Sequence, residues 1–159
     1  MPVLTILGTP IAFPDDQASP DWSAAVIQFA QLTAQALNLA IGPFDVPPQT
    51  YTMISNANTD VPLNALSFPT ASVRAAFIRY SIFRTTSTTT AYEAGVMTVV
   101  YNPNGTPGSL WELIQYKEGN AQVTFNITDT GQVEFSSIPI SGLNAAGTIS
   151  FAAQTLLQS

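Results

Sequence analysis

The stretch AAFIRYSIFRTTSTTT, residues 75–90, combines a strand-like pattern with two of the four positive charges in this 159-residue chain. Apolar residues alternate with other residues along most of it, and a period of two predicts a β-strand over residues 72–85. Arg79 then falls on one face of the strand beside Phe77, whereas Arg84 falls on the other face among large apolar side chains. Both guanidinium groups are therefore expected to be half-buried.

A half-buried guanidinium needs partners, because a buried charge without one is strongly destabilising. Backbone carbonyls or carboxylates would serve, and the glutamates on the following predicted strands are the nearest carboxylates in topology. Structural ion pairs are therefore predicted among Arg79, Arg84, Glu93 and Glu112. The alternative use of these charges is an anion or sugar site built on Arg79.

The rest of the chain from residue 46 onward keeps this period of two, in short runs separated by turn residues. Strands are predicted over residues 50–55, 61–67, 72–85, 90–101, 110–116, 121–128, 131–137 and 146–155. TDTG at 128–131 is predicted to be a tight hairpin turn with Gly131 at positive φ, which fits this segment better than a calcium loop does. Strands without intervening helices predict a mainly β fold, an antiparallel β-sandwich of jelly-roll-like type.

The N-terminal part of the chain follows a different pattern. Residues 1–18 are apolar and contain three prolines, which exclude helix, so an extended arm is predicted there. One α-helix is predicted over residues 19–42. Ser19 suits its N-cap, Pro20 suits the first helical position, and Gly42 suits the C-terminal stop.

This predicted helix has no charge in its body, but its amide side chains recur at spacings of three and four and form one polar stripe. That pattern indicates a soluble helix, buried on most of its circumference, rather than a transmembrane one. It either packs on its own domain or lines a bundle between subunits. Residues 1–45 are therefore assigned to attachment and oligomerisation, and residues 46–159 to the sandwich. The expected interface residues are Leu4, Ile6, Ile11, Phe13, Trp22, Val26, Phe29, Leu32 and Leu39.

Composition narrows the classes of function. Charged residues make up only 9% of the chain, and the net charge is −6, so no basic cluster favours nucleic acid or an anionic membrane. The chain lacks cysteine and histidine, and its carboxylates show no paired catalytic arrangement. We therefore expect no enzymatic activity, no metal and no cofactor. The N-terminus has no basic region typical of a signal peptide.

The order of sequence motifs in the C-terminal two-thirds resembles a family of β-domains. AAFIRYSIFRTTSTTTAYEAGVMTVVYN is followed by WELIQ, then VTFNITDTGQVEFSS, then GTISFAAQTLL. This series resembles a domain of tailed-bacteriophage virion proteins, found in fibre-like or surface-decorating components, and it covers residues 68–155. The matching residues are Tyr80, Arg84, Glu93, Gly95, Tyr101, Trp111, Val123, Phe125, Gly131, Gln132 and Val133.

The resemblance implies a component of a phage particle, often trimeric and without enzymatic activity, in which Glu93 to Gly95 form a turn before a strand. An apolar arm and helix also need a covering partner, and closed cyclic symmetry provides one. We therefore expect a homotrimer on the virion surface, acting as a decoration protein or a short tail-fibre-like appendage. Its other partners would be capsid or tail proteins.

The alternative is a carbohydrate-binding module or an adhesin-type receptor-binding domain, whose partner would be a host-surface glycan. In that interpretation the rings of Tyr92, Tyr101, Trp111 and Tyr116 stack on sugar. Aromatic residues of a sandwich more often belong to its core. The exposure of these four rings therefore discriminates between the two functions.

Overall fold

The computed structural model describes residues 3–6, 9–12, 26–33 and 42–159 of the chain. Its contacts divide the chain into two compact units, Met1–Pro43 and Phe44–Ser159. Within the described residues, no helix has the length and apolar character needed to cross a bilayer.

The N-terminal unit contains a two-stranded hairpin and a helix. Strand β1, Val3–Ile6, pairs antiparallel with strand β2, Thr9–Ala12. In its described residues, 3–6 and 9–12, the predicted extended arm therefore has extended backbone, but these two strands are paired with each other. Helix α1 spans residues 26–33, which confirms this part of the predicted helix, while 19–25 and 34–41 lie outside the described residues.

The C-terminal unit consists of eight further strands. They are β3 (Val46–Met53), β4 (Asn58–Ser67), β5 (Val73–Thr85), β6 (Thr90–Tyr101), β7 (Trp111–Gly119), β8 (Val123–Ile127), β9 (Gln132–Ser137) and β10 (Ala146–Leu157). Every strand predicted after residue 46 is present. The hairpin predicted at TDTG joins β8 to β9, and Gly131 has a φ of 84°. A side chain at Gly131 would collide with the carbonyl of Phe68, so glycine is required there.

These strands form two antiparallel sheets. The five-stranded sheet has the order β3-β10-β5-β6-β7, and the three-stranded sheet has the order β4-β9-β8. The first strand of the unit pairs with the last, and the second pairs with the next to last, which is the nested arrangement of a jelly roll. A regular jelly roll has two sheets of four strands each. Here the sheets have five and three strands, and the hairpin of β6 and β7 extends the larger sheet. The predicted fold class is confirmed.

The core lies between the inner faces of the two sheets. Ile78, Met97 and Ile149 from the larger sheet are buried together with Leu63 and Phe135 from the smaller one. Ring contacts also join the sheets: the ring centroids of Tyr51 and Phe135 are 5.5 Å apart, and those of Tyr80 and Phe125 are 5.0 Å apart. The alternation seen in the sequence therefore sends one side of each strand into a shared apolar layer.

Candidate functional site

A buried carboxylate lies at the centre of a polar cluster inside the sandwich. Glu93 on β6 is 2% exposed. Its oxygens accept hydrogen bonds from the Tyr80 hydroxyl at 2.9 Å, Gln115 Nε2 at 3.2 Å, Lys117 Nζ at 3.0 Å and the Ala121 amide at 3.1 Å. Four donors, one of them cationic, offset the loss of water around the carboxylate. The cluster joins β5, β6 and β7 to the turn that follows β7.

Gly95 makes room for this cluster. It lies on β6 opposite Tyr80 of β5 and Lys117 of β7, and a methyl group there would lie 2.9 Å from the Tyr80 hydroxyl and collide with the Tyr116 carbonyl. The resemblance implied a turn at Glu93 to Gly95, and this expectation is wrong, since both residues lie within a continuous strand. The glycine is needed for close approach of side chains and backbone, not for chain reversal.

The Tyr80 hydroxyl is held in its protonated form. Burial raises its pKa to about 12, a hydrogen bond from Gln115 opposes this rise, and the nearby Glu93 carboxylate adds to it. Glu93 raises the pKa of Tyr80 in two ways. It accepts a hydrogen bond from the neutral hydroxyl, and its charge would repel a phenolate. Near neutral pH the hydroxyl therefore keeps its proton and donates a hydrogen bond to Glu93.

Arg84 occupies a second polar site, at one end of the sandwich, and is 2% exposed. Its guanidinium donates to the carbonyl oxygens of Ala121 at 2.7 Å, Gln122 at 3.3 Å, Ile138 at 3.0 Å and Asn56 at 2.6 Å. It also donates to the side-chain oxygen of Asn56 at 2.8 Å. Burial lowers the pKa of the guanidinium. The planar group thus ties together three loops that meet at this end.

The predicted ion pairs of the arginines are wrong. In the described part of the chain the one ion pair joins Glu93 to Lys117. Arg84 instead donates to backbone carbonyls, which were the alternative partners considered for a half-buried guanidinium. Arg79 and Glu112 are both exposed. Arg84 and Glu93 are connected only indirectly, because the guanidinium binds the Ala121 carbonyl while Glu93 accepts from the Ala121 amide.

Sequence reasoning missed Lys117, although a signal was present. Lys117 and Glu93 fall on the same face of neighbouring strands once the register of the β6–β7 pair is known. That register places Gly119 opposite Glu93, so Lys117 lies one same-face position further along the partner strand. A cross-strand check of the single lysine would have identified it as the partner.

The outward side of the five-stranded sheet carries an unusual amount of exposed apolar surface. Eight large apolar side chains on this side are between 41% and 71% exposed, and we call them the outer apolar face: Phe77, Phe83, Tyr92, Val96, Val100, Ile114, Tyr116 and Leu156. They come from four adjacent strands, β10, β5, β6 and β7. Exposed apolar surface of this extent on one side of a sheet is typical of an interaction site.

Charged side chains are interspersed on the same side of the sheet. Arg79 lies on β5 between Ala152 of β10 and Val96 of β6. Glu112 and Glu118 lie on β7, opposite outward residues of β6. The positive and the negative charges therefore belong to different strands, with β6 between them.

The four aromatic residues proposed for sugar stacking are divided between core and surface. Trp111 is buried, and its ring centroid lies 5.3 Å from that of Tyr101, which packs against the core. Tyr92 and Tyr116 are 70% and 71% exposed and belong to the outer apolar face. Of the four rings, these two are exposed, whereas Tyr101 is half-buried and Trp111 is buried.

The predicted attachment residues of the N-terminal unit are described in part. Three of them belong to the hairpin strands: Leu4, Ile6 and Ile11. Three others lie outside the described residues: Phe13, Trp22 and Leu39. Val26, Phe29 and Leu32 lie on α1, where Val26 is 52% and Phe29 38% exposed. Residues 26–31 are exposed in the single chain, so burial of this part of the helix in a bundle between subunits stays a prediction.

No metal centre is apparent in the described residues, where no three acidic side chains come together. Asp129, which the calcium alternative would use, instead accepts hydrogen bonds from the Gly108 and Leu110 amides at 2.6 and 3.2 Å. The carboxylate thus anchors the 102–110 loop to the β8–β9 hairpin. It accepts hydrogen bonds from two loop amides, in the place that backbone carbonyls would take in a regular element.

Comparison with known proteins gives distant structural likenesses. No protein-family model matches the chain, and no curated protein sequence matches it significantly. The tailspike protein of Acinetobacter phage vB_ApiP_P1 aligns with 67% of this chain and 22% of its own, at 15% identity and a TM-score of 0.38. The tailspike of Acinetobacter baumannii phage AM24 aligns with 72% of this chain and 26% of its own, at 11% identity and a TM-score of 0.32. The chain spans about a quarter of the length of each tailspike.

Proposed function

We propose that this chain is a non-enzymatic structural component of a tailed-bacteriophage virion and works as a homo-oligomer on the particle surface. The observation that carries the proposal is the outer apolar face, which a free monomer would leave in water. A protein within a large assembly has neighbours that cover such a surface. The sequence resemblance over residues 68–155 supplies the class of particle.

The composition supports the same proposal. Charged residues are 9% of the chain, against roughly a quarter in ordinary soluble domains. A protein that stays soluble as a free monomer usually depends on mixed surface charges. A surface made of threonine, serine and amide residues suits a subunit that is held among other subunits.

The finer assignment is a trimeric decoration protein or a short fibre-like appendage. The N-terminal hairpin and helix are its proposed attachment to a capsid or tail protein. Val26 on α1 is exposed, and a helix with apolar side chains in water favours association.

Quantitative mass spectrometry of purified virions tests this function. We expect the chain to be present at a fixed copy number that is a multiple of three, and antibodies against it to label the particle surface. Its presence in infected cells together with its absence from purified particles would contradict the proposal.

A second candidate is a carbohydrate-binding domain, favoured by the exposed rings of Tyr92 and Tyr116. Isothermal titration against host-surface glycans distinguishes it. Binding that is lost in Tyr116→Ala and kept in a control variant of an exposed loop residue, Leu143→Ala, would establish the second candidate. The structural proposal expects no saturable glycan binding in either protein.

A further inference from the structure

We propose that the outer apolar face is the contact between subunits, so that a second copy of this chain covers it through strands β5, β6 and β7. This inference rests on the homo-oligomer proposed above and assigns its contact surface. It differs from the sequence-based expectation, which placed oligomerisation in the arm and the helix.

The first argument is area. Large aromatic side chains have surfaces of roughly 150–250 Å² each, so the exposed fractions of the eight residues correspond to about 700 Å² of apolar surface per chain. A stable protein–protein interface buries about 800 Å² per partner. The outer apolar face is therefore large enough to account for most of a specific interface by itself.

The second argument is shape. The β5–β6 ladder pairs continuously from Ala75↔Val100 to Thr85↔Thr90, and the β6–β7 ladder pairs continuously from Glu93↔Gly119 to Tyr101↔Trp111. Neither ladder contains a register shift. The side chains of the face that lie on β5, β6 and β7 therefore stand in regular rows without a bulge, and such a surface can pack closely against another sheet.

The third argument is charge. Arg79 lies on β5, and Glu112 and Glu118 lie on β7, two strand spacings or about 10 Å away. A twofold axis that crosses the strands at the level of Arg79 would bring two copies of Arg79 together, which is unfavourable. A twofold axis parallel to β6, or a closed ring, instead places β5 of one subunit opposite β7 of another, so that each Arg79 approaches a carboxylate. The distribution of charge therefore favours a contact between β5 and β7 of different subunits.

The composition of the face favours a protein partner over a sugar. Sugar platforms use aromatic rings, yet Val96, Val100, Ile114 and Leu156 contribute half of the residues in the outer apolar face. Aliphatic side chains give a sugar no ring to stack on, whereas they fill the spaces between aromatic residues in protein interfaces.

The test compares two isoleucines in the full-length chain. Ile114 belongs to the face, whereas Ile54 is an exposed loop residue outside it. At micromolar concentration, light scattering should give the same oligomeric mass for wild type and Ile54→Glu. For Ile114→Glu it should give the monomer mass of 16.9 kDa. The dissociation constant for association of Ile114→Glu should be about 100-fold higher than that of wild type, as for a residue at the centre of an interface.

Circular dichroism shows whether Ile114→Glu remains folded. If it does not, Tyr116→Glu replaces it, because that side chain is more exposed and is expected to have the same effect on mass. An oligomer that persists in the folded variant would overturn the assignment of the face and leave the virion proposal standing. A monomeric wild type would overturn both the homo-oligomer and its contact surface.

A charge exchange tests the contact between β5 and β7 of different subunits. Arg79→Glu should raise the dissociation constant about 10-fold, and combining it with Glu112→Arg and Glu118→Arg should recover most of that loss. A triple variant that associates no better than Arg79→Glu would contradict the approach of β5 to β7 between subunits.

Discussion

Arg84 and Arg74 lie on the same strand, but their surroundings differ. Arg84 is buried and donates five hydrogen bonds, whereas Arg74 is exposed. A guanidinium has five donors in a rigid plane, and an ammonium has three on one atom. Exchange of arginine for lysine should therefore be costly at one position and harmless at the other.

We predict that Arg84→Lys lowers the free energy of unfolding by about 2–4 kcal/mol, because several buried carbonyls lose their donors. The control, Arg74→Lys, should change it by less than about 0.5 kcal/mol. Urea unfolding followed by tryptophan fluorescence measures both. Equal losses in the two variants would show that the carbonyl cluster does not depend on guanidinium geometry.

Tyr80 gives a prediction about pH. Its pKa is raised from 10.0 in the unfolded chain to about 12 in the folded one, so the folded state holds the proton more tightly. The stability that this provides is complete below pH 10 and is lost as pH rises through about 12. We therefore expect wild type to lose more stability than Tyr80→Phe across this range, as measured by urea unfolding at several pH values. Parallel curves for the two proteins would contradict the raised pKa.

Single residues show where prediction from the sequence ends. Alternation placed Arg84 correctly on the face opposite Arg79, among large apolar side chains, and carbonyls were left open as its partners. The same reasoning expected Arg79 to be half-buried, and this is wrong because Arg79 is exposed. The sequence analysis wrongly paired Glu93 with an arginine instead of Lys117, because the register between the neighbouring strands was unknown. That register depends on how the 102–110 loop closes, and the local pattern of residues does not contain this information.

At the scale of elements, β6 and β7 depend on Gly95. A methyl group there collides with the backbone of β7, whereas a methyl group at Gly147 of β10 meets the flexible side chain of Met53. Neither glycine has a positive φ, so the two positions compare steric effects alone.

We predict that Gly95→Ala costs about 1–3 kcal/mol of stability, because the strands must separate. Gly147→Ala should cost less than about 1 kcal/mol, since Met53 can move aside. Thermal unfolding by circular dichroism compares them. The steric argument fails if Gly147→Ala is the more damaging change.

The strands themselves were predictable, because alternation marks each half-buried segment. The prediction for 90–101 coincides with β6, and that for 72–85 differs from β5 by one residue. The strand predicted over residues 50–55 begins four residues later than β3, whose first residues Val46, Pro47 and Pro48 were not assigned to a strand. Strand β3 lies at the edge of its sheet, where a missing amide donor costs little.

At the scale of the whole molecule, the sandwich has a core of its own. Every buried core side chain described above comes from Val46 or later. We predict that the fragment Phe44–Ser159 unfolds in a single cooperative transition, and that Arg84→Lys destabilises it as much as it destabilises the full chain. Urea unfolding of both forms checks this. A fragment without a cooperative transition would show that the first 43 residues are needed for folding.

The topology was beyond prediction from periodicity. Alternation shows that a segment is half-buried, but it does not say which strand lies beside it. The pairing of β3 with β10 joins Thr52 to Thr148 across most of the domain. Similarly, the outer apolar face became visible only when four strands were placed side by side, since no strand contributes more than three of its members.

The site of Arg84 also affects the order in which a newly made chain can fold. Its partners lie at Asn56, Ala121, Gln122 and Ile138, so the guanidinium cannot be fully bonded until the ribosome has passed residue 138. The β3–β10 pairing needs still later residues. Until then the half-made sheet exposes apolar side chains and an unsatisfied charge. Translation would therefore be the period in which this protein is most exposed to misassembly and most dependent on chaperones.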